Sequence, residues 1–266
     1  MLDTFNRVVI SHFYNEAYLL PWWLEHHKKI FDFGIMIDYD STDGSADIVR
    51  SICPDWAVVK SIHADFNAAD LDQQVLGYER EMIGWRIALT STEFLIGDVA
   101  GLTSNLDYPD SNNSQDPKMI NHLIPVNQMF DWNPQGTLDK QIPFFKQVTT
   151  GIDYRVHPVR GCRSLHNHRF RSYTLGRHFH GHTTTDACIL HTANCISSPE
   201  MLARRLQIQH RIPFGDKARN AGWQHHNNNH PNGLTAESLH DQLMVDWYRV
   251  TDCSEIIQSC LDKMHT

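Results

Sequence analysis

The sequence lacks the features that mark nucleic-acid-binding and membrane-spanning proteins. Its 266 residues carry a formal net charge of −8, so the basic excess that neutralises phosphates in nucleic-acid complexes is missing. No run of apolar residues approaches the roughly 20 that a helix needs to cross a bilayer. We therefore expect no nucleic-acid partner and at most a peripheral association with membranes.

Paired cysteines and a signal sequence are missing as well. The six cysteines form no Cys-x-x-Cys pair, and the N-terminus has no basic stretch followed by an apolar one. We therefore predict reduced thiols and a cytoplasmic location. No internal repeat is found, and a hydrophobic content of 41% is typical of a globular protein with a large core.

What the sequence does contain is an alternation of strand and helix patterns in its first hundred residues. The predicted strands are 8–10, 35–37, 56–62 and 86–89, and segments with helical spacing separate them. Such alternation predicts an α/β fold with a mainly parallel sheet, helices on both faces, and ligands at the carboxyl ends of the strands. Four polar residues should therefore share one edge: Asn15, Glu16, Asp38 and Asp40.

Several element boundaries are visible in the sequence. The first helix should carry Pro21 in its first turn and end before Gly34. The second helix should begin beside Asp43, which would cap it, and Gly44, which would allow the tight entry. Later elements are predicted as a loop over 101–117, a strand at "MINHLIPV", and helices from about Ser198 and within 235–263.

The second half of the chain is rich in histidine and arginine. Most of the 18 histidines follow residue 150, and six arginines lie between 155 and 177. The alternating His178, His180 and His182 would share one strand face, and a zinc site is one interpretation of them. Hydrogen-bonding histidines are the commoner alternative, because no Cys or acidic ligand stands at a recognised zinc spacing. Arg204 and Arg205 either bind a diphosphate or lie on the solvated face of their helix.

The stretch "FYNEAYLLPWWLEHHKKIFDFGIMIDYDSTDGSADIVRSI" resembles the opening of glycosyltransferase family 2. The usual form in that family is a Tyr-Asn-Glu turn, a Trp-Leu-x-His helix and a strand ending in Asp-x-x-Ser-Thr-Asp-Gly. "WRIALTSTEFLIG" is similar to the family's strand and Asp-x-Asp-Glu-Phe-Leu motif, and "LHTANCISSPEMLARRL" to its histidine and basic helix. The resemblance is specific over 5–98 and extends more weakly over 120–206.

The resemblance implies a GT-A fold in one domain, 1–266, with a nucleotide-binding half (1–100), an acceptor side (118–195) and C-terminal helices (196–266). It implies transfer of a sugar from a nucleotide-diphosphate sugar to a saccharide or other acceptor hydroxyl, as in polysaccharide biosynthesis. The candidate nucleotide-binding residues are Asn15, Glu16, Asp38, Asp40, Arg80, Thr90 and Thr92. For Arg80, a solvated helix face is the alternative interpretation.

The sequence departs from the family at the metal-binding motif. Thr90 and Thr92 stand where the family has its two aspartates, and Glu93 follows them. Neutral hydroxyls are poor substitutes for carboxylates as ligands of Mg²⁺ or Mn²⁺. Three explanations stay open: Glu93 and His191 hold a weaker or different metal, arginines alone neutralise the leaving diphosphate, or the protein binds a nucleotide without catalysis.

The reaction implied by the resemblance is an in-line displacement at the anomeric carbon, most often with inversion. Asp153 and Asp131 are the candidates for the base that deprotonates the acceptor hydroxyl, and a surface or capping carboxylate is the alternative for each. The first hypothesis is thus a glycosyltransferase that does not depend on an Asp-x-Asp metal pair. The alternatives are a catalytically degenerate nucleotide-sugar-binding module and a histidine-based metal-dependent hydrolase.

Overall fold

The computed structural model of the chain describes residues 6–104, 117–126, 145–153, 162–167, 176–177, 183–192, 199–212 and 250–264. Within these ranges the strands are β1 (Arg7–Phe13), β2 (Phe33–Asp38), β3 (Ala57–Lys60), β4 (Trp85–Thr90), β5 (Glu93–Gly97), β6 (Lys118–Pro125), β7 (Thr150–Asp153), β8 (Arg163–Leu165), β9 (Thr183–His191) and β10 (Thr251–Asp252). The helices are α1 (Leu20–His27), α2 (Ser45–Ile52), α3 (Ala68–Glu81), α4 (Val99–Leu102), α5 (Pro199–Arg211) and α6 (Ser254–Lys263).

The first four strands form a wholly parallel sheet in the order β3-β2-β1-β4. A helix connects each strand to the next, as the alternating pattern predicts. The carboxyl ends of the strands meet at one edge, where Phe13 is the neighbour of Asp38 and His12 is the neighbour of Thr90. We call this the carboxyl edge.

A second, mixed sheet extends the first one. Its order is β10-β7-β6-β9-β5, and β8 pairs with β6. The two sheets are joined by a pair of backbone hydrogen bonds, since the N–H of Arg86 donates to His166 O (2.7 Å) and the N–H of His166 donates to Arg86 O (3.0 Å). The predicted α/β class with a mainly parallel central sheet is therefore confirmed.

Two apolar clusters cover the two faces of the parallel sheet. Val9 and Phe13 of β1 belong to the cluster that contains the side chains of α1 and Val49 of α2. Val8 and Ile10 belong to the other cluster, with residues of α3 and α5. Successive side chains of β1 therefore alternate between an α1/α2 face and an α3/α5 face.

The predicted helices in the described ranges are confirmed. Pro21 lies in the first turn of α1, where its missing N–H has no helical partner to lose. "MINHLIPV" falls in β6, and the helix expected near Ser198 is α5. Within 235–263 the described helix is α6, and most of the remaining residues of that range lie outside the description.

Two further expectations concern membranes and thiols. In the described ranges no helix combines the length and the apolar character that a bilayer crossing needs. The five cysteines found there are all buried and form no disulfide among themselves.

Candidate functional site

Asn15 lies at the turn that follows β1, at the carboxyl edge. Its backbone has a φ of 49°, in the left-handed region that Asn tolerates better than most residues. Its Oδ1 accepts a hydrogen bond from the N–H of Thr42 (2.8 Å), and its Nδ2 donates to Gln207 Oε1 (2.7 Å). The amide therefore connects the loop after β1 with the loop after β2 and with α5.

Glu16 is fully buried beside Asn15. Ser91 Oγ donates to its Oε1 (2.7 Å), and the guanidinium of Arg204 lies 2.5 Å from the same oxygen. Burial raises the pKa of Glu16, and the positive charge of Arg204 opposes that change. The structure thus directs the predicted nucleotide-binding side chains of Asn15 and Glu16 into contacts within the protein.

Asp38 and Asp40 differ in their surroundings although both follow β2. Asp38 is buried, and its Oδ1 accepts a hydrogen bond from the N–H of Ser41 (2.9 Å). Within the described residues it makes no other side-chain hydrogen bond, so one carboxylate oxygen keeps its capacity to accept. Asp40 is exposed, has a φ of 65°, and lies 3.5 Å from the ammonium of Lys60.

Asp43 and Gly44 have the structural roles expected of them. Asp43 Oδ1 accepts hydrogen bonds from the N–H (3.0 Å) and hydroxyl (2.6 Å) of Ser45, and its Oδ2 accepts from the N–H of Ala17 (2.9 Å). Gly44 has a φ of 86° at the start of α2, a backbone conformation that favours glycine. Both residues therefore shape the entry to the helix.

The turn between β4 and β5 carries two of the candidate nucleotide-binding residues, Thr90 and Thr92. The hydroxyls of Thr90 and Thr92 lie 3.1 Å apart and hydrogen-bond to each other. The N–H of Thr90 donates to Glu93 Oε2 (2.8 Å), and Ser91 between them points to Glu16. The turn thus presents two neutral hydroxyls near the carboxyl edge.

Glu93 is the centre of a group of ionisable side chains that we call the buried ion cluster, made of the buried Glu93, His122 and Arg163 and the partly exposed His191. Arg163 donates to Glu93 through Nη2 (2.8 Å) and Nε (3.1 Å), and His122 Nε2 lies 2.9 Å from Glu93 Oε1. Burial opposes ionisation of Glu93, but Arg163 and His122 hold its pKa well below the usual range. Glu93 is therefore an ionised partner of Arg163.

The predicted metal ligands Glu93 and His191 face each other across β5 and β9. Burial lowers the pKa of His191 to about 4, and its ring centroid lies 5.9 Å from that of His122. In the part of the chain that the structure describes, no group of three His, Cys, Asp or Glu side chains could hold a metal ion. The donor set here does not fit Mg²⁺ or Mn²⁺, because Arg163 already occupies the carboxylate.

The arginines of the described residues have several different environments. Arg163 and Arg177 are buried, and Arg177 Nη1 lies 2.5 Å from Asp72 Oδ1 in α3. Arg204 donates to Tyr14 O (3.0 Å) in addition to its contact with Glu16. Arg80 is exposed in the last turn of α3, just before the start of β4, so the structure does not bring it to the carboxyl edge.

The candidate base Asp153 lies away from the residues of the carboxyl edge in sequence and in sheet order. Asp153 is buried at the end of β7, next to Leu123 of β6, and accepts a hydrogen bond from Asn121 Nδ2 (2.7 Å). Asp131 and the three alternating histidines lie outside the described residues. The role of either aspartate as a base stays a prediction.

Two features of the carboxyl edge were missed in the sequence. His12 is a polar residue in the otherwise apolar strand "VVISHF", which is the signal that could have identified it. Arg211, at the end of α5, lies over the rings of Tyr14 (4.6 Å) and Phe66 (4.7 Å) and donates to Tyr39 O (2.7 Å). Helix α5 therefore covers part of the edge with a cation stacked on aromatic rings.

Comparisons with known proteins give distant structural similarity. No protein-family model and no curated protein matches this sequence. The structure of S. aureus TarS 1–349 is 17% identical, with a TM-score of 0.31, over 50% of this chain and 38% of that one. TarS 1–349 in complex with UDP-GlcNAc gives 18% identity and a TM-score of 0.29, over 50% of this chain and 36% of that one.

A structure of 4-diphosphocytidyl-2C-methyl-D-erythritol synthase is 11% identical, with a TM-score of 0.32, over 63% of this chain and 75% of that one. The chain thus spans less than half of the TarS chains that it matches. At these identities and TM-scores, none of the three similarities carries a conclusion about activity.

Proposed function

We propose that the protein is a GT-A-type glycosyltransferase that moves a sugar from a nucleotide-diphosphate sugar to an acceptor hydroxyl. The observation that carries the proposal is the carboxyl edge, where β2 ends in the buried Asp38 with one free acceptor oxygen and β4 ends in the hydroxyls of the β4–β5 turn, with β1 between the two strands. Ligands of open α/β sheets bind at this edge, and a carboxylate there can accept a hydrogen bond from a ribose or a base. The resemblance of 5–98 to family 2 supports the same assignment.

The proposed reaction forms one bond and breaks one. The acceptor oxygen attacks the anomeric carbon, the bond from that carbon to the diphosphate oxygen breaks, and its electron pair leaves with the nucleoside diphosphate. The proton of the acceptor hydroxyl passes to a base, for which Asp153 and Asp131 are the proposed candidates. Inversion at the anomeric carbon follows from a single displacement.

The proposal includes independence from an Asp-x-Asp metal. It is supported by the neutral side chains of Thr90 and Thr92 and by the ion pair between Glu93 and Arg163. No step is therefore assigned to a divalent ion. Stabilisation of the departing phosphate falls to hydrogen-bond donors and arginines of the chain.

The test is donor turnover in the presence of a chelator. UDP- and GDP-sugars would be incubated with EDTA and a panel of saccharide acceptors, and the released nucleoside diphosphate would be measured. Continued turnover in EDTA is expected, whereas turnover that requires added Mn²⁺ would contradict metal independence.

A second candidate is a nucleotide-sugar-binding module without catalysis. It is favoured by the engagement of Asn15 and Glu16 in contacts within the protein and by the two neutral threonines. Calorimetry that shows nucleotide affinity, with no turnover across the same panel, would support this module. Absence of nucleotide affinity would refute both candidates.

A further inference from the structure

His12 and Thr90 are neighbours on one face of the parallel sheet. They are partners in the β1–β4 register, at the carboxyl ends of both strands. Val8 and Ile10 of β1 and Ala88 of β4 face α3 and α5, and strand alternation places His12 and Thr90 on that same face. An imidazole and a hydroxyl therefore lie side by side where the two strands end.

The imidazole of His12 has unused hydrogen-bonding capacity. Its Nδ1 is buried without a partner, and the ring makes no hydrogen bond to any described residue. The ring contacts Tyr39 edge-to-face, with centroids 6.2 Å apart, and the residue is partly exposed. Since polar groups in a protein interior are normally paired, a partly exposed histidine with no hydrogen bond at either ring nitrogen points to a ligand that would bond to the nitrogen that is not enclosed. With Nδ1 enclosed, Nε2 is the nitrogen that a ligand would reach.

Arg177 is a second unusual residue on this side of the sheet. It is only 3% exposed, it pairs with Asp72 of α3, and its Nε has no hydrogen-bond partner among the described residues. Its φ of 57° lies in the left-handed region, which is uncommon for arginine. Backbone strain of this kind is concentrated at functional sites because it holds a side chain in a required place.

The positive charges of three arginines act on His12. Burial lowers the pKa of His12 well below its usual value, and the charges of Arg177, Arg204 and Arg163 lower it further, against a smaller opposite effect of Glu93. The imidazole is therefore neutral near pH 7 and carries one N–H donor. A neutral N–H donor near arginine side chains favours an anionic oxygen ligand.

We propose that His12, with Thr90 and Arg177, forms an anion site that binds the diphosphate of the nucleotide donor. This inference rests on the proposed function and names the groups that would hold the leaving group. The imidazole and the hydroxyl donate hydrogen bonds to diphosphate oxygens, and the arginine supplies positive charge. As the bond to the sugar breaks, the same groups stabilise the charge that develops on the diphosphate.

The test separates the diphosphate from the nucleoside. UDP, uridine and inorganic diphosphate would be titrated in EDTA against the wild-type chain, His12→Ala and the control Gln258→Ala, which changes an exposed residue of α6. If the wild-type chain binds GDP more tightly than UDP, GDP and guanosine would replace UDP and uridine. We expect His12→Ala to weaken the binding of UDP and of inorganic diphosphate at least tenfold and to keep the affinity for uridine within twofold of the wild-type value. Gln258→Ala should leave all three affinities unchanged.

Two results would overturn the anion site. One is unchanged UDP affinity in His12→Ala, and the other is an equal loss of uridine and UDP affinity. If His12→Ala fails to fold in circular dichroism, His12→Asn replaces it and must show the same selective loss. A wild type that binds inorganic diphosphate through His12 but no nucleoside diphosphate would refute the proposed function and leave the anion site standing.

Discussion

Two polar regions meet at the β4–β5 turn, where Thr90 of the carboxyl edge contacts Glu93 of the buried ion cluster, and they differ in how their hydrogen bonds are used. At the carboxyl edge, His12 and Asp38 keep groups without partners among the described residues. In the buried ion cluster, both oxygens of Glu93 have partners and Arg163 is engaged along its whole guanidinium. Removal of one partner from a buried pair of charges destabilises the fold, whereas unpaired polar groups at an edge are available to a ligand.

The contrast assigns different consequences to mutations in the two regions. Changes in the buried ion cluster should lower the free energy of unfolding. Changes at the carboxyl edge should lower ligand affinity and leave the fold nearly as stable. Each prediction below tests one side of that division.

The largest expected effect follows from removal of Arg163. Arg163→Leu leaves the Glu93 carboxylate buried without its cation, and breaking a buried pair in this way costs about 3–5 kcal/mol. Urea unfolding followed by circular dichroism would measure the loss. Arg50→Ala is the control, because the Arg50–Asp47 pair is exposed and such pairs contribute about 0–1 kcal/mol. A loss below 1 kcal/mol for Arg163→Leu would show that the cluster does not stabilise the fold.

The buried histidines should make stability depend on pH. Burial lowers the pKa of His26 to about 4, so the unfolded chain binds more protons between pH 4 and 6.5 and the free energy of unfolding rises with pH there. The full effect for His26 is about 3 kcal/mol. His191, whose pKa is also lowered to about 4, should contribute less because it is partly exposed.

Replacement of these histidines tests that pH dependence. His26→Gln keeps a donor for Leu95 O and should flatten the curve between pH 4 and 6.5, and His191→Gln should flatten it by a smaller amount. The exposed His210→Gln should leave the curve unchanged. Glu93 adds to the slope only at the acidic end of this window, because its stabilising effect begins to be lost as the pH falls through 4.5, the usual pKa of the group. An unaltered curve in His26→Gln would contradict the assignment.

Local signals in the sequence predict much of the first sheet and little of the second sheet. Alternating periodicity and Pro21 give β1 to β4 and α1 because strand and helix periods are local properties. The pairing of β6 with β9, and the bridge from Arg86 to His166, depend on contacts between distant segments that no local pattern records. The sequence therefore predicts the individual strands and helices better than it predicts how they pair and pack.

The same division applies to the site. The two neutral threonines, Thr90 and Thr92, are visible in the sequence beside a predicted strand, and so is the placement of Asp38 at a strand end. The partner of Glu93 is not visible, because Arg163 lies 70 residues away and reaches the carboxylate only through the packing of β8 beside β4. Whether a charge is free or paired is thus decided by tertiary structure.

The next prediction concerns Asp38, which lies at the carboxyl edge. Asp38→Ala should weaken nucleoside diphosphate binding about 10- to 100-fold, since a hydrogen bond to a charged group contributes about 1.5–3 kcal/mol. Its neighbour Asp40→Ala is the matched control and should stay within twofold, because Asp40 is exposed beside Lys60. Calorimetry with UDP and GDP would measure both. Equal affinities for the two variants would remove Asp38 from the proposed site.

The smallest expected effect concerns the contact between α5 and Asn15. Gln207→Ala removes the 2.7 Å hydrogen bond from Asn15 Nδ2, and the loss of one such bond lowers the free energy of unfolding by about 0.5–1.5 kcal/mol. Asn15 keeps its bond with the N–H of Thr42, so the turn should hold its conformation and nucleotide affinity should stay within twofold. Paired urea unfolding and UDP titration would measure both quantities, with the exposed His210→Ala on the same helix as control. If UDP affinity instead changes more than fivefold while the free energy of unfolding does not, the Asn15 amide contacts the ligand. Asn15 then belongs with the ligand-binding residues of the carboxyl edge.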